Sequence, residues 1–237
     1  MTDVHVGLVG PDADAATVVV EDAGGRASAG TAADVLAADV DAVAALSERA
    51  LYDLVRAGVT ADTPLLPVSG PGFDAERDDA LAALAGGDYA TRPRPTLAVA
   101  ARHHDYRAFA DVTLVSAEAA RISEYTVDVA GETGVERVDS VRADGVVVAT
   151  PTGTRGYVAR ADGPQLSAAV DAVAVVPIAP FRVECPDWVV SLPATITVAR
   201  DETDVSLLVD DRDVGPVDPG DPVDVSYGDP VALARPD

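Results

Sequence analysis

The chain has 237 residues, room for one large domain or two small ones with a full core, and 48% of it is hydrophobic. Its 40 acidic residues stand against 17 basic ones, all of them Arg, for a formal charge of −23, which argues against a nucleic-acid partner. A single cysteine, Cys185, excludes an internal disulfide and a multi-cysteine zinc site, and no stretch approaches ~18 uninterrupted apolar residues, so no membrane span is expected.

Residues 4–9 read as a strand ending at Gly10-Pro11, and residues 13–22 as a short helix stopped by Gly24-Gly25. Residues 41–46 form a second apolar run, suited to a parallel strand. Ser47 then reads as the N-cap of a helix over 48–57 that Gly58 closes. A third strand over 64–68 leads through a turn at 69–73 into a helix over 75–84, stopped at Gly86-Gly87. This βαβ rhythm predicts an open α/β sheet. Both glycine pairs serve better as helix stops than as phosphate loops.

From about Thr91 the character changes. Short β-rich runs occur at 97–101, 112–115, 122–129, 138–142, 146–149, 172–177, 188–190, 196–199, 205–209 and 223–225, punctuated by Gly, Pro and Asp. The expected fold is an α/β N-terminal domain over 1–90 and a β-rich domain over 91–237, with the last residues packing back on the first domain. Turns at Gly215-Pro216 and Pro219-Gly220-Asp221 are expected to separate strands, and Pro222 to open the last one. His103-His104 lacks partners at metal-ligand spacing and reads as a surface or turn pair; no metal ligands are assigned.

The carboxylates are interspersed with apolar runs, which suits a folded core rather than an acidic disordered chain. Carboxylate excess without Lys is the style of proteins adapted to a salt-filled cytoplasm. The first residues, with Asp3 and His5, carry no basic, apolar signal region, so a cytoplasmic location is expected.

The richest segment covers residues 143–164, ADGVVVATPTGTRGYVARADGP. A buried strand runs into Thr150-Pro151-Thr152-Gly153-Thr154, where Pro and Gly force a turn whose hydroxyls and N–H groups suit a ribose or phosphate. The segment resembles the signature of the NAD kinase family, roughly D-G-x-x-x-A-T-P-T-G-S-T-A-Y-x-x-S-A-G-G-P. Asp144, Gly145, Ala149, Thr150, Pro151, Thr152, Gly153, Tyr157, Ala161, Gly163 and Pro164 carry the likeness. Arg155 replaces its Thr, Arg160 its Ser and Asp162 its first Gly of G-G-P. Residues 175–180 resemble the family's P-I-x-P segment, with Phe181 where a His usually follows, and Asp210-Asp211-Arg212 sits where the family has D-G-Q or D-G-R.

The resemblance implies a dinucleotide site between an α/β and a β-rich domain, NAD or NADP as ligand, ATP and Mg²⁺ in an active member, and self-association through the β-rich domain. It places ligand contacts at Asp111, Asp144, Thr150, Thr152, Gly153, Thr154, Arg155, Tyr157, Arg160 and Asp210. The family's G-G-D-G-T, whose glycines admit phosphates and whose Asp assists the ribose hydroxyl or the metal, is replaced here by Ser47-Glu48-Arg49-Ala50-Leu51, so Arg49 occupies the catalytic Asp position. Arg49 either binds an anion or belongs to an ordinary capped helix. The family's N-E pair falls on Ala110-Asp111. Asp144 either contacts the ligand or accepts hydrogen bonds from its own turn; Tyr157 either covers a base or ribose or packs. Arg155 and Arg160 either pair with a phosphate or neutralise Asp162, Asp111 or Asp144.

The reading is therefore a family member with lost or much reduced phosphoryl transfer that binds a nucleotide or phosphorylated ligand. Two alternatives stand beside it. One is an active ATP-dependent NAD kinase that makes NADP from NAD, with Asp111, Asp144 or Asp210 in the base and metal roles. The other is a structural or regulatory subunit without a ligand.

Overall fold

In a computed structural model, residues 3–70, 73–74, 76–118, 121–131, 134–182, 185–201 and 203–236 are described. The chain forms two compact units, Met1–Pro95 with Asp229–Asp237, and Thr96–Gly228.

The first unit is α/β. Its elements are β1 (His5–Val9), α1 (Ala13–Asp22), β2 (Arg26–Ala29), α2 (Ala32–Ala37), β3 (Ala42–Ala45), α3 (Glu48–Arg56), β4 (Leu65–Pro67), the short hairpin β5 (Ser69–Gly70) and β6 (Phe73–Asp74), and α4 (Arg77–Gly86). Strands run in the order β4-β3-β1-β2, all parallel. Parallel strands are covered on both faces, so β1 and β3 are buried at every residue and read as unbroken apolar runs. On one face Val6, Leu8, Ala42 and Ala44 pack with Ala16 and Val20 of α1 and Leu81 and Leu84 of α4. On the sheet itself Gly7 is required because a Cβ there would run into Val35 of α2. The strand β2 and helix α2 have no counterpart in the sequence reading. Residues 26–37 are mostly Ala, Ser, Thr and Gly without apolar periodicity, and β2 is a partly exposed edge strand held by its ladder to β1.

The second unit is all but entirely β. After β7 (Tyr89–Ala101) come β8 (His104–Ala108), β9 (Asp111–Ser116), β10 (Ser123–Gly131), β11 (Gly134–Ala143), β12 (Gly145–Ala149), a 3-10 turn (Gly153–Arg155), α5 (Tyr157–Arg160), β13 (Val173–Ile178), β14 (Trp188–Val190), β15 (Ala194–Arg200), β16 (Val205–Val209), β17 (Arg212–Val217) and β18 (Pro222–Pro236). One antiparallel sheet has the order β14-β13-β12-β9-β16-β17; the other runs β11-β10-β15-β18, with β7 also on β18 and β8 on β7. Their facing sides share a core of Val112, Leu114, Val146, Val148 and Val175 against Tyr125, Val127, Ile196 and Val225. The opposite face of β12, Val147 and Ala149, packs with Val158 of α5 and with Ala174 and Val176 of the neighbouring strand β13. Cover on both faces explains the unbroken run Val146-Val147-Val148-Ala149.

The first part of β18 pairs with β15 in the second unit, and Leu233 near its end pairs in parallel with Leu65 of β4 in the first. Gly215-Pro216, expected to be a turn, lies inside β17 instead. Gly215 pairs with Leu207, and Pro216 is tolerated because β17 is the outermost strand of its sheet. The reversal falls earlier, at Asp210-Asp211. No helix among the described residues is long and apolar enough to cross a membrane.

Candidate functional site

Antiparallel pairing brings three chain segments together at one end of the six-stranded sheet. Ala149 lies opposite Asp111 and Val209 opposite Val112, so residues 109–111, 150–154 and 209–211 meet. Thr150 is the hub. Its N–H donates to the Ala110 carbonyl at 2.9 Å. Its hydroxyl lies 3.0 Å from the Phe109 carbonyl and 3.1 Å from that of Ala110, and accepts from the Gly153 N–H at 3.1 Å. Gly153 has to be glycine, because a Cβ would collide with the Ala110 carbonyl oxygen. Thr154 donates to the Pro151 carbonyl at 2.8 Å and accepts from the Leu166 N–H at 3.1 Å.

Thr150 and Thr154 are 1% and 0% exposed, so their hydroxyls build the turn from inside and do not point outward as the composition suggested. What the turn leaves at the surface is different. Thr152 is half-buried, Arg155 and Arg160 are exposed, and Tyr157 is 42% exposed. Neither arginine forms an ion pair among the described residues, so the expected neutralisation of Asp162, Asp111 or Asp144 is not made.

Asp210 sits in the left-handed region at φ 53°, and its carboxylate faces the β8–β9 junction. Its oxygens accept from the N–H of Phe109 at 2.9 Å, Ala110 at 2.7 Å and Asp111 at 3.2 Å, while its own N–H donates to the Asp111 carbonyl at 2.9 Å. Asp111 is half-buried and accepts from the Thr113 hydroxyl at 3.3 Å. Ala110 is buried and offers only its backbone.

Asp144 is not part of this constellation. It precedes β12 whereas Thr150 follows it, and five extended residues separate them by roughly 20 Å of chain. The main-chain carbonyl of Asp144 accepts from the Ser116 N–H at 2.8 Å and the Tyr125 hydroxyl at 3.3 Å. Burial pushes the Tyr125 phenol above its ordinary value, with hydrogen bonds from Ser116 and Ser123 working the other way.

Arg49 belongs to the first unit. It lies in the first turn of α3 with a side chain 82% exposed, 3.9 Å from Asp53 one turn on. Ser47 caps the helix, its hydroxyl accepting from the Ala50 N–H at 3.2 Å, and Glu48 accepts from the Tyr52 hydroxyl at 2.6 Å. Ala50 and Leu51 point into the core. His103 lies in the β7–β8 turn at φ 62°, beside a pocket of about 280 Å³ lined by Arg102, His104, Asp105 and Asp221. No three His, Cys, Asp or Glu side chains among the described residues converge as a metal-ligand set.

The family model of the ATP-NAD kinase C-terminal domain matches residues 110–233. The chain belongs to the NAD kinase family. An NAD kinase of Methanosarcina barkeri is 42% identical over 88 residues, 37% of this chain and 30% of that protein. One of Gemmatimonas aurantiaca is 31% identical over 140 residues, 56% of this chain and 47% of that protein. The alignments thus span less than half the length of these NAD kinases. The NAD kinase of Archaeoglobus fulgidus, solved with ATP, superposes with a TM-score of 0.78 over 98% of this chain and 94% of its own, at 17% identity. Yeast NADH kinase, solved with NADH, gives 0.77 over 99% and 84%, at 15% identity. The α/β unit followed by a β-rich unit is therefore the NAD kinase fold.

The Asp210–amide contact has no signature in the sequence. Asp210 stood out there as a candidate ligand contact, but partners about one hundred positions away cannot be read from local spacing. The capping of Ala50 by Ser47, by contrast, spans three residues and is legible at once.

Proposed function

We propose that this NAD kinase family protein binds a nucleotide or another phosphorylated ligand through residues 152–160 and has lost, or keeps only weakly, phosphoryl transfer. The observation that carries this reading is the closed N-terminus of α3. Phosphoryl transfer rests on positioning and on a metal that neutralises the phosphates. At the G-G-D-G-T position this chain caps its own amide with Ser47 and puts Arg49 where a carboxylate is needed. A guanidinium has five donors and no acceptor, so it neither holds Mg²⁺ nor takes a proton from a ribose hydroxyl. Asp210, a carboxylate in reach of the turn, already serves three amides. The described residues at these positions do not fit Mg²⁺.

Support for ligand binding comes from what the turn exposes. Arg155 and Arg160 form no ion pair among the described residues of a protein of charge −23 and are suited to a phosphate. Tyr157 offers a ring face and Thr152 a hydroxyl. Thr150, Gly153 and Thr154 shape the turn behind them, and Asp111 lies at its base. The structural neighbours solved with ATP and NADH make nucleotides the first candidates. Cytoplasmic location and self-association through the β-rich unit belong to the same reading.

A thermal-shift series at molar salt with NAD, NADP, NADH and ATP tests it, since a ligand that binds only the folded state raises stability by RT ln(1 + [L]/Kd). NADP formation is followed in parallel from NAD with ATP or polyphosphate and Mg²⁺. A shift without turnover is expected. No shift with any nucleotide favours the ligand-free subunit. Turnover on the order of 1 s⁻¹, abolished by Asp144→Ala, establishes the active kinase instead.

A further inference from the structure

We propose that Asp210 is a positioning residue for the ligand-binding turn, acting on residues 150–154 through the backbone of residues 109–111. The proposal deepens the functional reading above, and its role for a ligand rests on that reading. The chain of contacts is continuous. The Asp210 carboxylate collects the N–H groups of Phe109, Ala110 and Asp111. That leaves the Phe109 and Ala110 carbonyls pointing at Thr150, whose hydroxyl and N–H both engage them. The Gly153 N–H closes on the same hydroxyl, and Gly153 itself lies flush against the Ala110 carbonyl. A shift of residues 109–111 therefore displaces the whole turn that presents Thr152, Arg155 and Tyr157.

The chemistry calls for a carboxylate. Three converging N–H donors need several lone pairs, and an ionised acid supplies about four while accepting without donating. Hydrogen bonds to an ionised acceptor are shorter and roughly twice as strong as neutral ones. An Asn side chain offers one oxygen and turns an N–H₂ group toward other N–H donors. The cost of the arrangement is local: Asp210 is a non-glycine residue at φ 53°, a conformation that Asn and Asp tolerate better than most. The hairpin turn between β16 and β17 thus carries a device for β9 and β12, the two strands that flank the ligand turn.

Amide hydrogen exchange of the full chain at molar salt tests the proposal with or without a ligand. Asp210→Asn is compared with Val198→Ala, a core truncation in β15, a strand of the other sheet, that is expected to lower stability without removing any of these hydrogen bonds. The expected result for Asp210→Asn is faster exchange, by about tenfold or more, at Phe109–Asp111 and also at Thr150, Gly153 and Thr154, with no such selective change in Val198→Ala. Unchanged exchange over 150–154, or the same pattern in both variants, overturns the proposal. If Asp210→Asn does not fold, Asp210→Glu, which keeps both oxygens one methylene further out, is read by the same criteria. For the nucleotide that shifts the wild type, affinity is expected to fall about tenfold in Asp210→Asn and to hold in Val198→Ala; equal losses in both variants also overturn it. A wild type that binds no nucleotide while the exchange behaves as expected refutes the functional reading and leaves the positioning role intact.

Discussion

The Thr150 hydroxyl, in a residue 1% exposed, shares its one proton between the Phe109 and Ala110 carbonyls and accepts from the buried Gly153 N–H, so its removal takes that N–H's partner away. Orphaning a buried group costs about 1–3 kcal/mol, more than the net worth of the hydrogen bond itself. Thr150→Val, which keeps the shape and removes the hydroxyl, is therefore expected to lower stability by about 1–3 kcal/mol. Thr150→Ser is expected to stay within about 1 kcal/mol of the wild type. Urea midpoints at molar salt measure both, and equal midpoints for the Val and Ser variants contradict the role given to the hydroxyl. The same residue illustrates a limit of composition. A turn rich in Thr announces hydroxyls, yet which way the Thr150 hydroxyl faces is decided by carbonyls of the β8–β9 junction, forty positions earlier.

At the scale of elements, α3 owes its start to Ser47. Replacing an N-cap serine by Ala costs about 1 kcal/mol, so Ser47→Ala is expected to lower the urea midpoint by that equivalent, and no change argues against the cap. On the proposed function, reopening the amide is not expected to bring phosphoryl transfer, because Arg49 still stands where an acceptor is needed. Elements of this kind were legible in the sequence because their signals are local: a cap three residues from its amide, a glycine at a helix end, an apolar run filling a doubly covered strand. The helix over 13–22 is found with those bounds, and β12 is found within one residue. β2, α2 and α5 were not legible, since they are short, rich in small residues and held by ladders and packing rather than by periodicity. The site was legible in part. Thr150-Pro151-Thr152-Gly153 marked the turn, but the convergence of Asp111 and Asp210 on it is a product of strand register, and so is the remoteness of Asp144.

The whole molecule carries 40 acidic groups and only 17 arginines. Even with every arginine paired, most of the excess carboxylate stays uncompensated, and the ion pairs described are largely at the surface, where each is worth little. Self-repulsion of this size is screened by salt. The melting temperature is expected to climb steeply between roughly 0.1 M and roughly 3 M KCl, with cooperative unfolding lost at the lower end; equal values at both concentrations contradict this. The path of β18 adds a consequence for biosynthesis. The first unit receives its outermost strand only at Leu233, long after β4 has left the ribosome. At about 5–20 residues per second, the nascent sheet waits on the order of ten seconds with an open edge along Leu65–Pro67, while the entire second unit is made and can close on itself. An unpaired parallel edge is a template for stray strands, so translation leaves the half-built α/β unit exposed to mispairing until the final residues of the strand emerge and seal it.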